Sequence, residues 1–217
     1  MKTPSRFASR ATLIGALLAS TGGSAALVWH ASYSAFSSTV STGSNSWSTG
    51  SVVITADQSG TVLFNLSALK PDPTLTALSP PSTGALSATS GGSACVKVTY
   101  TGSLAAKVEL YASVTEGSTP LGTGLLTTVD TGTDSSTSTD LGCSTFTSSA
   151  YIYGASGTTT SFLSGLPSTY ATGDGNWSAT TNTSQWYRIS WLLPSNTSNA
   201  YQSASVTATF TWEADNT

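Results

Sequence analysis

The sequence predicts an all-β protein, a two-layer antiparallel β-sandwich with one disulfide. Three observations predict it. Short segments alternate apolar and polar residues with the period of two that a half-buried strand requires. Between them lie stretches rich in Gly, Ser, Thr and Pro, the residues that turn a chain. The composition, 38% hydrophobic and only 8% charged over 217 residues, supplies enough Val, Phe, Trp and Tyr to fill a sheet interior beneath a neutral, hydroxyl-rich surface. Thr suits that surface because its β-branched side chain fits a pleated sheet.

Along the chain, the first element is a leader. Lys2, Arg6 and Arg10 form a basic start, and Ala11 to Val28 is apolar but broken by Ser20, Thr21, Gly22, Gly23 and Ser24. Residues 1–35 read as a secretory signal peptide, with small residues at Ala31-Ser32-Tyr33-Ser34-Ala35 placing cleavage by a signal peptidase between Ala35 and Phe36. An uncleaved N-terminal anchor is the alternative, and either reading makes the protein secreted, extracellular or held at the cell surface. Residues 36–49 then form a flexible N-terminal segment, in which Phe36 to Ser46 carries only Phe36 and Val40 as apolar anchors.

Residues 50–217 form the sandwich domain. Alternation marks strands at Val52, Ile54 and Ala56; at Val62, Phe64 and Leu66; at Val96, Val98 and Tyr100; and at Val108, Leu110 and Ala112, with Gly60 and Gly102 as turns. A weaker strand runs from Leu125 to Val129. Tyr187, Ile189, Trp191 and Leu193 alternate with Arg188 and Ser190, and Ala204, Val206, Ala208, Phe210 and Trp212 alternate with Ser and Thr. Pro194 to Asn199 is made of turn residues, which predicts an antiparallel hairpin between these last two strands. Phe162, Leu163 and Leu166 share a face only if Thr159 to Leu166 makes a helical turn. Long loops are expected at 70–92 and 132–170. Seven or so half-buried strands cover one another's apolar faces most economically as a sandwich.

Cys95 and Cys143 are an even pair in an exported chain, which reads as a disulfide. Closing their 48-residue separation would stabilise the fold by about 4 kcal/mol in the chain-entropy model. Beyond the leader, Lys70, Lys97, Lys107 and Arg188 stand against ten acidic residues, a balance that argues against nucleic acid as a partner.

Several segments carry a family resemblance. Gly22-Gly23, Ala35-Phe36, Trp47-Ser48-Thr49-Gly50, Asn65-Leu66-Ser67-Ala68-Leu69-Lys70-Pro71, Thr101-Gly102-Ser103-Leu104-Ala105 and Phe210-Thr211-Trp212-Glu213-Ala214 occur in an order that resembles the TasA/camelysin proteins. Their leaders are processed by the dedicated signal peptidase SipW. The cysteine pair and Trp-rich end resemble the actinobacterial branch of that family more than its founding biofilm protein. The resemblance implies a jelly-roll domain, export, and assembly into extracellular fibres of the biofilm matrix by donation of the mature N-terminal segment, beginning at Phe36 with Val40 as second anchor, to a neighbour's sheet. It covers the leader, the first two strands, Val98 to Leu110 and the last strand; Leu121 to Trp177 does not align with it.

Catalytic groups are scarce. The single histidine, His30, lies in the leader, and there is no His-Glu-x-x-His motif, so neither a zinc hydrolase nor a histidine-based triad is expected, and no cofactor. Asp130-Thr131-Gly132 matches an aspartic-peptidase loop, but that chemistry needs two carboxylates sharing a proton. A turn after a strand explains it as well. Asp130, Asp134 and Asp140 form an acidic stretch that offers oxygen ligands to Ca²⁺, without EF-hand spacing. Trp177 and Trp186 are candidate sugar-stacking rings, Trp186 falling on the strand face opposite Tyr187, Ile189 and Trp191. The expected function is a secreted, non-enzymatic structural protein that self-associates or joins related surface proteins. The alternative is a carbohydrate or cell-wall binding module with polysaccharide as partner, and a remote third is an acid peptidase.

Overall fold

The computed structural model describes residues 50–60, 63–64, 69–81, 90–135 and 142–217. The cleavage pair Ala35/Phe36 and the anchors Phe36 and Val40 lie outside them. All strands belong to the unit Val52–Thr217, and among the described residues there is no α-helix, so none long and apolar enough to cross a membrane.

Among the described residues eight strands form in chain order: β1 (Ile54–Ala56), β2 (Gly91–Tyr100), β3 (Ala106–Glu116), β4 (Leu126–Thr133), β5 (Thr147–Tyr153), β6 (Asp174–Ala179), β7 (Thr183–Leu192) and β8 (Val206–Asn216). They make two antiparallel sheets, five strands in the order β1-β2-β7-β4-β5 and three in the order β6-β3-β8, packed as a sandwich. Strand 2 beside 7, 7 beside 4 and 4 beside 5, with 8 beside 3 and 3 beside 6 across the core, are the neighbour relations of a jelly roll. One relation is missing among the described residues. A jelly roll sets its first strand beside its eighth, whereas β1 pairs with β2, Ile54 opposite Tyr100.

Between the sheets lies the main core. Val96 and Val98 of β2, Tyr187, Ile189 and Trp191 of β7 and Val129 of β4 meet Leu110 and Ala112 of β3, each full burial of a large apolar side chain contributing about 1.5–3 kcal/mol. The alternation of these residues put them on one face, and the structure closes that face with the second sheet.

The opposite face of the five-stranded sheet is also covered. On β7 six consecutive residues, Tyr187 to Leu192, are buried, so the strand is enclosed on both sides. Leu78 packs on Leu126 and Leu192. Cys143 and Phe146 pack on Cys95, with Trp186 beside them. The expected disulfide is present, joining Cys95 to Cys143 with Cα atoms 5.3 Å apart.

The structure differs from the sequence reading in three places. β7 and β8 do not form a hairpin: they lie in different sheets, and the segment between them crosses the sandwich. Alternation reports that a strand is half-buried but not whether its chain neighbour lies beside it or across the core. The expected 132–170 loop contains β5, and β6 follows it. Neither strand announces itself, because β5 has no fully buried residue and β6 has one. Of the strand expected over Val62 to Leu66, only Leu63 and Phe64 are described; they are not in a strand and pack on the core, Phe64 edge-on to Trp191 at 6.3 Å. The helical turn in Thr159 to Leu166 is a single 3₁₀ turn, Leu163–Gly165, with Leu163 and Leu166 in the core.

Tyr100 ends β2, fully buried, and its hydroxyl donates to the Leu104 carbonyl at 2.6 Å, fastening the β2–β3 connection. Tyr100→Phe leaves that carbonyl without its partner. We expect a loss of about 1–2 kcal/mol in urea unfolding of the oxidised protein, with an unchanged denaturant slope.

Candidate functional site

Among the described residues β8 has a neighbour on one side only, and that edge is the feature most able to engage another molecule. β8 runs eleven residues in unbroken register with β3, from Glu116 opposite Val206 to Ala106 opposite Asn216. Just beyond its two ends, the Gly117 N–H donates to Ser205 C=O at 2.9 Å and the Thr217 N–H donates to Ala105 C=O at 3.3 Å. Hydrogen-bonded and non-hydrogen-bonded pairs alternate along an antiparallel ladder, so the odd-numbered residues of β8 bond to β3. The N–H and C=O groups of Val206, Ala208, Phe210, Trp212 and Ala214 therefore point to the side on which no described strand lies. Those same residues turn their side chains toward the core yet are only half-buried. Both the backbone and the apolar row of β8 are left short of a neighbour among the described residues.

The other three edges are blunted in ways that discourage pairing. β1 is three residues long. β5 meets β4 with two register breaks, at Val129/Asp130 and Thr131/Gly132. β6 meets β3 with a break at Val108/Leu110 and carries the left-handed residues Gly175 (φ 114°) and Asn176 (φ 41°). The Trp212 indole N–H, on β8, is buried and makes no hydrogen bond.

On the outer side of the three-stranded sheet, one end is ionic. The Lys107 ammonium contacts the Glu109 carboxylate at 2.5 Å, and the Asn176 N–H donates to the other Glu109 oxygen at 3.1 Å. Tyr111 donates its hydroxyl to Glu213 across β3–β8 at 2.9 Å, which pushes its own pKa up. Lys107 is held above its usual range, chiefly by the bond to Glu109. Asp174 starts β6 next to this group. Its Oδ2 is buried without a hydrogen bond, and burial, then the Glu109 charge, raise its pKa.

The residues singled out in the sequence are dispersed. Trp177 lies on β6 and packs into the inter-sheet core. Trp186 lies on the outer face of β7 against the disulfide, with the Lys97 ammonium 5.9 Å from its ring centre. They sit on different sheets and do not form one stacking platform. Asp130 is 0% exposed and grips Arg188 bidentately, Oδ1 to Nε at 3.1 Å and Oδ2 to Nη2 at 2.8 Å. Both its oxygens are thus engaged by a guanidinium out of reach of solvent. Asp134 accepts from the Thr145 hydroxyl, and Asp140 lies outside the described residues. Among the described residues no group of three or more His, Cys, Asp or Glu is placed to hold a metal ion. Sequence reasoning missed the Arg188–Asp130 pair, for which the only signal was a cation and an acid each set in a β-rich segment.

No family model matches the chain, and no curated protein is significantly similar to it.

Asp174 yields a pH-dependent prediction. Its folded pKa lies above the unfolded value of 3.8, so the native state holds its proton more tightly than the unfolded chain does. The protonated form suits the fold, and stability falls as pH rises from about 3.8 through the folded pKa. Asp174→Asn keeps the shape without the charge. The variant should melt higher than the parent at pH 7, with the gap shrinking toward zero at pH 3; an equal gap at both pH values would assign the effect to something other than ionisation.

Proposed function

We propose that this chain is an extracellular structural subunit of TasA/camelysin type, not an enzyme, which builds fibres of the cell surface or biofilm matrix. In each contact the mature N-terminal segment Phe36 to Ser46 of one copy pairs with β8 of the next. One observation supports the reading: among the described residues no strand lies on the far side of β8 from β3, and β8 is the longest and most regular of the edges they present. A segment added there would take up the outward backbone groups of five residues and cover the half-buried row Val206 to Ala214. Phe36, Ser38 and Val40 fall on one side of an extended strand, so the two apolar anchors would face the core together. Since donor and acceptor are different surfaces of one chain, the contact is head-to-tail and need not close, which gives filaments. The leader supports export, and cleavage after Ala35 would free the donor.

The test uses the geometry of the edge. Protein beginning at Phe36 should polymerise, as followed by light scattering and electron microscopy, and protein lacking Phe36 to Ser46 should stay monomeric and folded. Ala208→Pro removes an N–H that points away from β3, a position where an edge strand tolerates proline. It should abolish polymerisation while leaving the monomer's circular dichroism intact. Thr209→Pro, by contrast, deletes a bond to β3 and should destabilise the monomer by about 1 kcal/mol or more. Polymerisation that persists in the truncated protein, or in a folded Ala208→Pro variant, would falsify strand donation to β8.

A further inference from the structure

Charge is placed unevenly along β8. Val206 to Trp212 carry none, and the strand's two charged side chains, Glu213 and Asp215, both lie exposed on the outer face at its C-terminal end. Lys107 stands opposite Asp215 on β3, but its ammonium is bound to Glu109. Tyr111 adds a hydroxyl to Glu213 and no charge. Close by, the Tyr170 hydroxyl donates to the Lys107 carbonyl at 3.0 Å. Burial, then the charges of Asp215, Glu109 and Glu213, push its pKa up, and Lys107 opposes them. Three carboxylates thus act there against one ammonium, and the field at that end of β8 favours a further cation.

The donor segment Phe36 to Ser46 (FSSTVSTGSNS) has no charged side chain. Once cleavage after Ala35 makes Phe36 the first residue, the segment's one charge is its α-ammonium, mostly protonated at neutral pH with a pKa of about 7.7–8.0. Eleven residues long, it matches β8 in length. Laid antiparallel to β8, it sets the ammonium beside Glu213 and Asp215. Laid parallel, it sets the ammonium about 30 Å from them, far beyond the screening length of about 8 Å. Charge therefore distinguishes two directions that backbone hydrogen bonding accepts equally.

Register follows from the faces. Phe36 and Val40 reach the core only opposite even-numbered residues of β8, and Phe36 opposite Ala214 is the pairing that brings the ammonium between the two acids. Ser38 then opposes Trp212, Val40 opposes Phe210 and Thr42 opposes Ala208. A large ring meets a small side chain at Phe36/Ala214, and Ser38 offers a hydroxyl beside the Trp212 indole N–H, which has no hydrogen bond.

We propose, resting on strand donation to β8, that the donor enters antiparallel with Phe36 opposite Ala214, and that Glu213 and Asp215 select a free α-ammonium at that residue. Cleavage then has two effects: it releases the segment, and it creates the one charge that the acceptor reads. A chain cut a few residues earlier, or blocked at its amine, presents the same strand without that charge in place.

Two cysteine pairs in the mature chain read the direction. Gly43→Cys and Thr207→Cys stand opposite each other on the outer face in the proposed register, whereas Ser37→Cys and Thr207→Cys meet only when the strand is parallel. Mild oxidation should link copies of the first variant into ladders on a non-reducing gel and leave the second unlinked. Linking in the second alone would overturn the direction while strand donation stood; linking in neither, by chains that still polymerise, would overturn both. The charge is read separately, by Glu213→Gln/Asp215→Asn and by a chain with two glycines added before Phe36. Each should raise the concentration needed for polymerisation by about 3- to 10-fold at low salt and match the parent near about 1 M salt. Combined, the two changes should cost no more than either alone, because they remove the two halves of one interaction. Costs that multiply, or polymerisation indifferent to both changes, would overturn selection of the ammonium.

Discussion

Enclosure of β7 on both faces is the constraint on which the rest of the structure depends. A central strand with six consecutive buried residues needs a layer on each side. Toward the core, the three-stranded sheet covers Tyr187, Ile189 and Trp191. Away from it, Arg188, Ser190 and Leu192 need a cover too, and Arg188 needs partners as well as a roof, because an unpaired buried guanidinium would cost several kcal/mol. Asp130 supplies the countercharge from β4, Pro81 a carbonyl, and Ser190 pairs with Ser93 at 3.1 Å. The outer layer is therefore built from side chains that a strand pattern assigns to water.

That assignment explains what was legible in the sequence. The inward rows Val96/Val98, Leu110/Ala112 and Tyr187/Ile189/Trp191 were plain, since alternation with large apolar residues has no other common cause, and the sandwich and the disulfide followed from them and from the cysteine pair. Arg188 and Ser190 read as the solvated side of a half-buried strand, and only the fold reveals the layer above them. β5 (TSSAYIY) and β6 (DGNWSA) were illegible for the opposite reason: edge strands at the sandwich rim bury little, so little apolar period is imposed on them. Gly132 marks the same region by close approach, for a Cβ there would come within 2.1 Å of the Thr147 carbonyl oxygen and 2.7 Å of the Phe146 ring.

The arrangement of β7 and β8 carries a more general lesson. Both strands alternate cleanly and are joined by turn residues, which fits a hairpin and fits equally well a crossing from one sheet to the other. The register distinguishes them. β7 pairs with β2 along ten residues and with β4 along seven, leaving no side for β8, which is driven onto β3. With β7 saturated, β8 becomes the rim of the smaller sheet as the described residues form it.

The candidate site, in turn, was legible only as half of a pair. The sequence suggested a donor, Phe36 to Ser46, with no indication of an acceptor; the fold shows, among the described residues, an edge whose outward groups are set by backbone geometry alone. The two layers of the sandwich also differ in what they present. The five-stranded sheet has its outer face roofed and its edges reduced to a three-residue strand and a twice-broken one, so it offers little to a second copy. The three-stranded sheet keeps one long straight edge. Among the described residues, β8 is the edge at which a further strand would meet an uninterrupted ladder of outward N–H and C=O groups and an apolar row not yet fully covered.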